Sequence, residues 1–452
     1  MEIQIVFTSN VPKYIEIYKQ MKQLILKQHL KTHTKIPTKR QLAQQLNISI
    51  HTVQTAYEQL LSEGYIYAIE RKGYFVSKID FDWHGNEVHE VETPKKTEKP
   101  PLINFHNGQV DAIQFPFRIW QRLYKNHLVA TSVPNANWQG EVELRQEIAY
   151  YLQQARAINC KANQIFIFSG TQQQLQSLCT FLHGVRVGIE HPGFSRAYTL
   201  FQQLKLPTAL VPLDSEGCTV PTEPINLLYA TPAHQYPLGQ IMSINRRLQL
   251  LQWAKSTNSY IIEDDYDSEF RYKGAPIPPL AHLDGLDRVI YFGTFSKTLL
   301  PSIRVSYMVL PTHLLSDFEA FNQLTKSTVS RIDQLVIADF MKSGEYAKHI
   351  AKMRTLYRAK RKCLIDAITQ HFGPSFSVLG DDAGLHVVLS LPPHLTEEIA
   401  IRKAASVGVA VDAISQCFQL EKPKNQILIG YGTPTIEEIQ KGVQLLASVY
   451  CD

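Results

Sequence analysis

Residues 291–307 read YFGTFSKTLLPSIRVSY, an apolar run that opens around a single lysine and then closes again. Lys297 stands beside the hydroxyls of Thr294 and Ser296, and Arg304 follows in the same segment. One amine, two hydroxyls and one guanidinium together suit a phosphorylated aldehyde. A lysine held where water is scarce has its pKa lowered, which leaves a free amine able to form a Schiff base. Hydroxyl donors and the planar fork of an arginine suit the phosphate at the other end of the same molecule. Taken alone, the lysine has a bland alternative as a solvated loop residue.

A second segment upstream fits the first. YIIEDDYDSEF (residues 260–270) ends an apolar strand in three carboxylates followed by a tyrosine. A carboxylate there can pair with a protonated pyridine nitrogen and so make a bound ring an electron sink. Alternation along a strand puts Asp264 and Asp265 on opposite faces. Tyr266 is positioned to donate to a ring hydroxyl. A metal site or a charged strand end is the bland reading of the acidic run.

EDDYDSEF followed by GTFSK carries a family resemblance. From residue 102 to the C-terminus the chain resembles the fold-type I, class I aminotransferases that bind pyridoxal 5'-phosphate (PLP). It is most similar to one subset, the MocR/GabR subfamily of GntR-type transcription regulators. The resemblance implies a Schiff base at Lys297 and a pyridine contact at Asp264 rather than Asp265. It places the phosphate at Ser169-Gly170-Thr171-Gln172, where the strand IFIF runs into a helix whose first N–H groups can bind an anion. Phe194 falls where the family stacks an aromatic ring on the pyridine. Arg196, two residues on, faces either a ligand carboxylate or solvent. LLYATPAHQYPLG resembles the subfamily's TPxHQxPxG segment, with Tyr236 where ordinary aminotransferases carry an asparagine. His234, Gln235 and Tyr236 are the candidates to replace that contact, and Gln235 is assigned to the cofactor set. A further departure lies in QILIGYG, where Leu428 stands at the position of the subfamily's carboxylate-binding arginine. Arg402, nearby in sequence, reads as part of a solvated helix face, so no bidentate carboxylate clamp is expected there.

The choice of subfamily makes a prediction about the N-terminus. Residues 14–30 place Ile17, Met21, Leu24 and Leu30 on one face of an amphipathic helix. Thr38 caps a short helix, Asn47-Ile48-Ser49 makes a turn, and a second helix buries Val53, Ala56, Tyr57 and Leu60 before Gly64 ends it. YIYAI and GYFV then form a wing around Glu70-Arg71-Lys72-Gly73. The pattern PxxRxLAxxLxxSxxTVxxAYxxLxxEGY resembles the GntR-type winged helix-turn-helix. The resemblance puts the second helix in the major groove, with Ser49, His51, Thr52, Gln54 and Thr55 near bases or phosphates. Arg40, Lys72 and Gly73 would face the backbone or the minor groove. Many members carry arginine directly after the turn serine; this chain has Ile50 there.

Totals agree with two kinds of unit. A chain of 452 residues allows about three domain-sized pieces. Its composition, 44% hydrophobic and 19% charged, is ordinary for a globular protein. No apolar run is long enough to span a bilayer and the N-terminus lacks a signal peptide's pattern, so a cytoplasmic protein is expected. Six scattered cysteines without a CxxC pair argue against a zinc site or disulfide framework, and no metal is expected. Residues 1–78 hold eleven Lys plus Arg against five Asp plus Glu, so the N-terminal end is the basic, nucleic-acid-facing one.

The expected architecture is α/β, a winged helix-turn-helix at 1–77 and a charged, proline-bearing linker at 78–102. An aminotransferase-like domain at 103–452 follows, with a short entry segment at 104–116, a mostly parallel large subdomain at about 125–330 and a small α+β subdomain at about 331–452, entered by one long helix over residues 332–367. The resemblance implies a head-to-tail, domain-swapped homodimer that binds a double-stranded DNA operator. The expected function is a PLP-dependent transcription regulator that senses a small amino compound through Lys297. The alternatives are a regulator that senses PLP itself and a working aminotransferase with a DNA-binding appendage; a true enzyme is not the expectation, and at most a residual transaminase half-reaction is.

Overall fold

Strict alternation organises the larger of two compact units, Met1–Glu98 and Lys99–Asp452. The computed structural model describes residues 3–7, 11–79, 101–130, 134–274, 277–325, 327–420, 423 and 425–451; most of the proposed linker lies outside them. Along the strand Ile165–Phe168 all four side chains are buried. Ile165 and Ile167 join one apolar cluster, whereas Phe166 and Phe168 join another on the opposite face. The strands Tyr260–Asp265 and Val289–Thr294 divide in the same way. A sheet covered on both faces by helices needs this near-continuous apolar pattern.

Among the described residues that sheet has eight strands. In spatial order they are Ile165–Phe168, Ser306–Val309, Val289–Thr294, Tyr260–Asp265, Leu227–Ala230, Val187–His191, Thr208–Asp214 and Gly217–Cys218. The five from Val289–Thr294 to Thr208–Asp214 run parallel, and the others pair antiparallel at the edges. Ligands of such sheets bind beyond the carboxyl ends of the parallel strands. Here those ends carry Asp264, Thr294, and the turns that hold Thr231 and Phe194.

A smaller antiparallel sheet has the order Ser377–Leu379, His386–Ser390, Gln426–Gly430, Asp412–Ala413. Val387, Leu389, Ile427 and Ile429 point from it into a core shared with the helices Glu345–His371, Glu397–Ser406 and Ile436–Tyr450. Val388 and Leu428 point the other way. Two expectations change here. The helical stretch read as one element is two helices, Arg331–Lys342 and Glu345–His371, separated at Gly344, whose φ of +75° admits no regular helix. The lead-in segment also belongs with this smaller subdomain: Ile103–Asn104 pairs parallel with Val409–Ala410 in a two-stranded sheet of its own, and Ile103 is buried in the same core.

The N-terminal unit packs the helices Lys13–Leu26, Lys39–Leu46 and Ile50–Ser62 beside the hairpin Ile66–Ile69 and Gly73–Val76. Ile17, Met21, Leu42, Val53, Ala56, Tyr57 and Leu60 form its core. The first helix stops short of the expected residue 30: Gln28 takes a φ of +57°, and Leu30 is buried from beyond the helix end.

Candidate functional site

A cavity of about 500 Å3 opens where the parallel strands end, a size suited to a small molecule. Its floor at one end is the start of the helix Thr171–Phe181. Gly170 precedes that helix with φ +115°, and a Cβ built on it would lie 2.3 Å from Nη2 of Arg304. Glycine is therefore what lets the guanidinium lie over the helix start, where Nη2 donates to the Ser169 carbonyl (3.2 Å). Thr171, Gln172, Thr294 and Ser296 complete this end. First-turn N–H groups, a guanidinium and hydroxyls make a cradle for a phosphate.

Asp264 supplies the opposite polarity. It is buried at the end of its strand; Oδ2 accepts from the Tyr229 hydroxyl and Oδ1 has no hydrogen-bond partner among the described residues. Burial pushes the carboxyl up to about 7, against the lowering effect of the Tyr229 hydrogen bond. A carboxyl group that lines a cavity with one oxygen unpartnered is what a protonated ring nitrogen needs. Asp265 turns to the other face, where it meets Arg156 (2.5 Å) and the Tyr291 hydroxyl (2.7 Å). The strand's alternation thus separates the two acids as expected. Phe194 lies against the cavity, near-parallel to Tyr229 (centroids 6.5 Å apart, 20° between planes).

Lys297 lines the same space with no hydrogen-bond or ion-pair partner among the described residues. Desolvation pushes its pKa down; Asp267 opposes that shift and Arg196 adds to it. An amine in this state is a nucleophile for an aldehyde. Tyr266 also lines the cavity, and its hydroxyl donates to the His234 carbonyl (2.8 Å). Arg196 stands exposed at the rim.

Gln235 is the expected site residue that the cavity excludes. Its amide donates to the Pro192 (2.9 Å) and Tyr236 (2.6 Å) carbonyls, and its oxygen accepts from the Leu238 N–H (3.1 Å), so it ties the loop together. Tyr229, Asp267, Asn107, His386 and Asp412 line the cavity without a signal in the sequence, whereas Tyr236 and Leu428 line it as named departures from the family pattern. Tyr229 sits within an apolar strand, and Asp267 is held in a buried pair with His234 (2.9 Å), whose Nδ1 lies 3.1 Å from the Tyr266 hydroxyl. Asn107, His386, Asp412 and Leu428 come from the smaller sheet and its lead-in segment. Glycines in IGYG carried the one available signal: a Cβ on Gly430 would lie 2.5 Å from the His106 carbonyl oxygen, so the lead-in backbone must pass there.

In the N-terminal unit Thr38 caps the helix Lys39–Leu46 with a reciprocal Gln41 contact, and Ser49 caps Ile50–Ser62. Ser49 Oγ accepts from the Thr52 N–H (3.1 Å) and lies 2.8 Å from Thr52 Oγ1, so both hydroxyls already serve the helix start. Thr55 Oγ1 donates to the His51 carbonyl (3.1 Å), and Gln54 to Glu58 (2.7 Å). Of the residues named for DNA contact, Arg40, Ser49, His51 and, on the hairpin, Lys72 are exposed, as is Ile50; Gly73 takes φ +110° at the hairpin's return. Tyr57 donates to the Pro37 carbonyl (2.9 Å) and ties the helix Ile50–Ser62 to the segment that leads into Lys39–Leu46.

The family described as bacterial regulatory proteins, gntR family, matches residues 13–76, and that described as aminotransferase class I and II matches residues 134–444. The chain is 40% identical to the uncharacterized HTH-type transcriptional regulator YhdI of Bacillus subtilis, covering 98% of this chain and 96% of the relative. It is 31% identical to the probable rhizopine catabolism regulatory protein MocR of Rhizobium meliloti, over 98% of this chain and 94% of that one. Among solved structures it is similar to an archaeal alanine:glyoxylate aminotransferase, with TM-score 0.72 and 27% identity over 77% of this chain and 90% of that one. This chain belongs to the MocR/GabR subfamily of GntR-type transcription regulators, in which a DNA-binding winged helix-turn-helix is joined to an aminotransferase-like domain whose cofactor is pyridoxal 5'-phosphate.

Proposed function

We propose that this regulator reads the concentration of a small amino compound through Lys297 and passes the result to its DNA-binding unit. The observation that carries this reading is the unpaired, desolvated Lys297 amine, set between a phosphate cradle and the free oxygen of Asp264. Those features fit the cofactor. Gly170, Thr171, Gln172, Thr294, Ser296 and Arg304 would hold its phosphate, Asp264 its ring nitrogen, Phe194 the ring face and Tyr266 the ring hydroxyl. When bound, the cofactor supplies an aldehyde that one amine can surrender to another. Arg196 at the rim is the candidate contact for the outer part of a ligand. Ser49, His51, Thr52, Gln54, Thr55, Arg40, Lys72 and Gly73 are the proposed operator-facing residues. The working form is a cytoplasmic homodimer, a state the resemblance supports and light scattering at micromolar concentration would check.

A visible absorption spectrum of the purified, cofactor-loaded protein is the direct test. Lys297→Ala should abolish the long-wavelength band of lysine-bound cofactor; persistence of that band would remove the assignment. Addition of the right amine should shift the band and change operator affinity in a gel-shift assay. A band that no amine moves would make the cofactor itself the signal.

A further inference from the structure

The half of the cavity supplied by the smaller sheet is charged the opposite way from a carboxylate receptor. Asp412 and Leu428 are direct partners across two antiparallel strands, so their side chains share one face of that sheet, and both line the cavity. His386, two residues before Leu428's other partner Val388, lies on the same face. Its Nε2–H donates to the Pro237 carbonyl (3.0 Å), and burial drives its pKa down to about 3, so it is a neutral ring there. Gln416 and Cys417 add no charge; burial pushes the Cys417 thiol up to about 11. Among the described residues this wall therefore holds no cation and one carboxylate. Asp412 is fixed in place: Oδ1 accepts from His106 Nδ1 (2.6 Å) and Oδ2 from the Asn107 N–H (2.6 Å), which leaves each oxygen a further lone pair.

We infer that the ligand is a diamine: one amine reaches the cofactor at Lys297, and the second, as an ammonium, meets Asp412 across the face shared with Leu428. A carboxylate in that position would face an acid and an isobutyl group with no cation on that wall to pair with, whereas an ammonium keeps a charged partner. Arg196 also lines the cavity, but it is exposed and comes from the first turn of the helix Ser195–Gln203 rather than from the smaller sheet. The inference rests on the amine-sensing reading above and narrows it to one chemical class.

The test uses the full-length, cofactor-loaded protein at about pH 8, where an ordinary imidazole is neutral. Its visible band is titrated with 1,4-diaminobutane, butylamine and 4-aminobutanoate, which share an amine and differ at the far end. The diamine should act at a concentration about tenfold or more below the other two, the size of one charge-assisted contact. Asp412→Asn retains an acceptor for the Asn107 N–H and should erase that preference, read as the ratio of half-shift concentrations. Leu428→Arg should reverse it in favour of 4-aminobutanoate. Equal or better action of 4-aminobutanoate on the parent protein overturns the diamine assignment and leaves amine sensing intact, as does an unchanged ratio in both variants. If hydroxylamine moves the band and none of the three amines does, amine sensing fails and the assignment falls with it.

Discussion

The two oxygens of Asp264 meet different surroundings, one holding the Tyr229 hydroxyl and the other bare. Without cofactor, burial lifts this carboxyl to about 7, above its ordinary value near 4. Between those values the folded chain keeps a proton that the unfolded chain has released. The stabilising contribution is therefore complete at low pH and lost as pH rises through about 7. Glu190 and Glu269, both raised to about 7 chiefly by burial, act in the same direction. Cofactor-free protein should accordingly melt at a lower temperature at about pH 8 than at about pH 5, and Asp264→Asn should show a shallower decline. An identical slope in the variant would mean that Asp264 is ionised throughout. Bound cofactor, by giving Oδ1 a positive partner, should also flatten the slope.

At the scale of elements, the phosphate end depends on one turn. Gly170→Ala puts a methyl group where the Arg304 guanidinium lies and imposes a side chain on a φ of +115°. Cofactor affinity should fall about tenfold or more, measured by the band retained after dialysis, with a cost to the cofactor-free fold of about 1 kcal/mol. Full retention would place the phosphate elsewhere. This turn was legible in the sequence because strand, small residue and helix start follow one another there, and the same holds for Asp264 and Lys297 at strand ends. Asp412, His386 and Asn107 were not legible: they reach the cavity through strand register in a different sheet, and no local pattern marks them. Gln235 misled for the complementary reason. A polar residue in a motif loop reads as a ligand contact, but three backbone groups already use its amide. The split at Gly344 was hidden because apolar spacing continues across it; φ, which spacing does not reveal, decides the break.

At the scale of the whole molecule, the basic surplus of residues 1–78 predicts a salt-dependent grip on DNA. Arg40→Ala and Lys72→Ala should each weaken operator binding and reduce the slope of log affinity against log salt by about 0.9 if the side chain meets a phosphate. Unchanged slopes would put the DNA face on other residues. Ser49→Ala is expected to act differently: it removes a helix cap worth about 1 kcal/mol and lowers the unit's stability before it touches affinity. The chain that leaves this unit re-enters the other at Ile103–Asn104, stitched beside Val409–Ala410. Three residues later the same strand of chain forms the cavity wall at Asn107, whose N–H is held by Asp412. Lead-in backbone and ligand wall are thus one continuous ribbon, with Ile103 in the core beneath the smaller sheet and the Asn107 N–H on Asp412, so a ligand held by Asp412 touches the very segment through which the two units are joined in sequence.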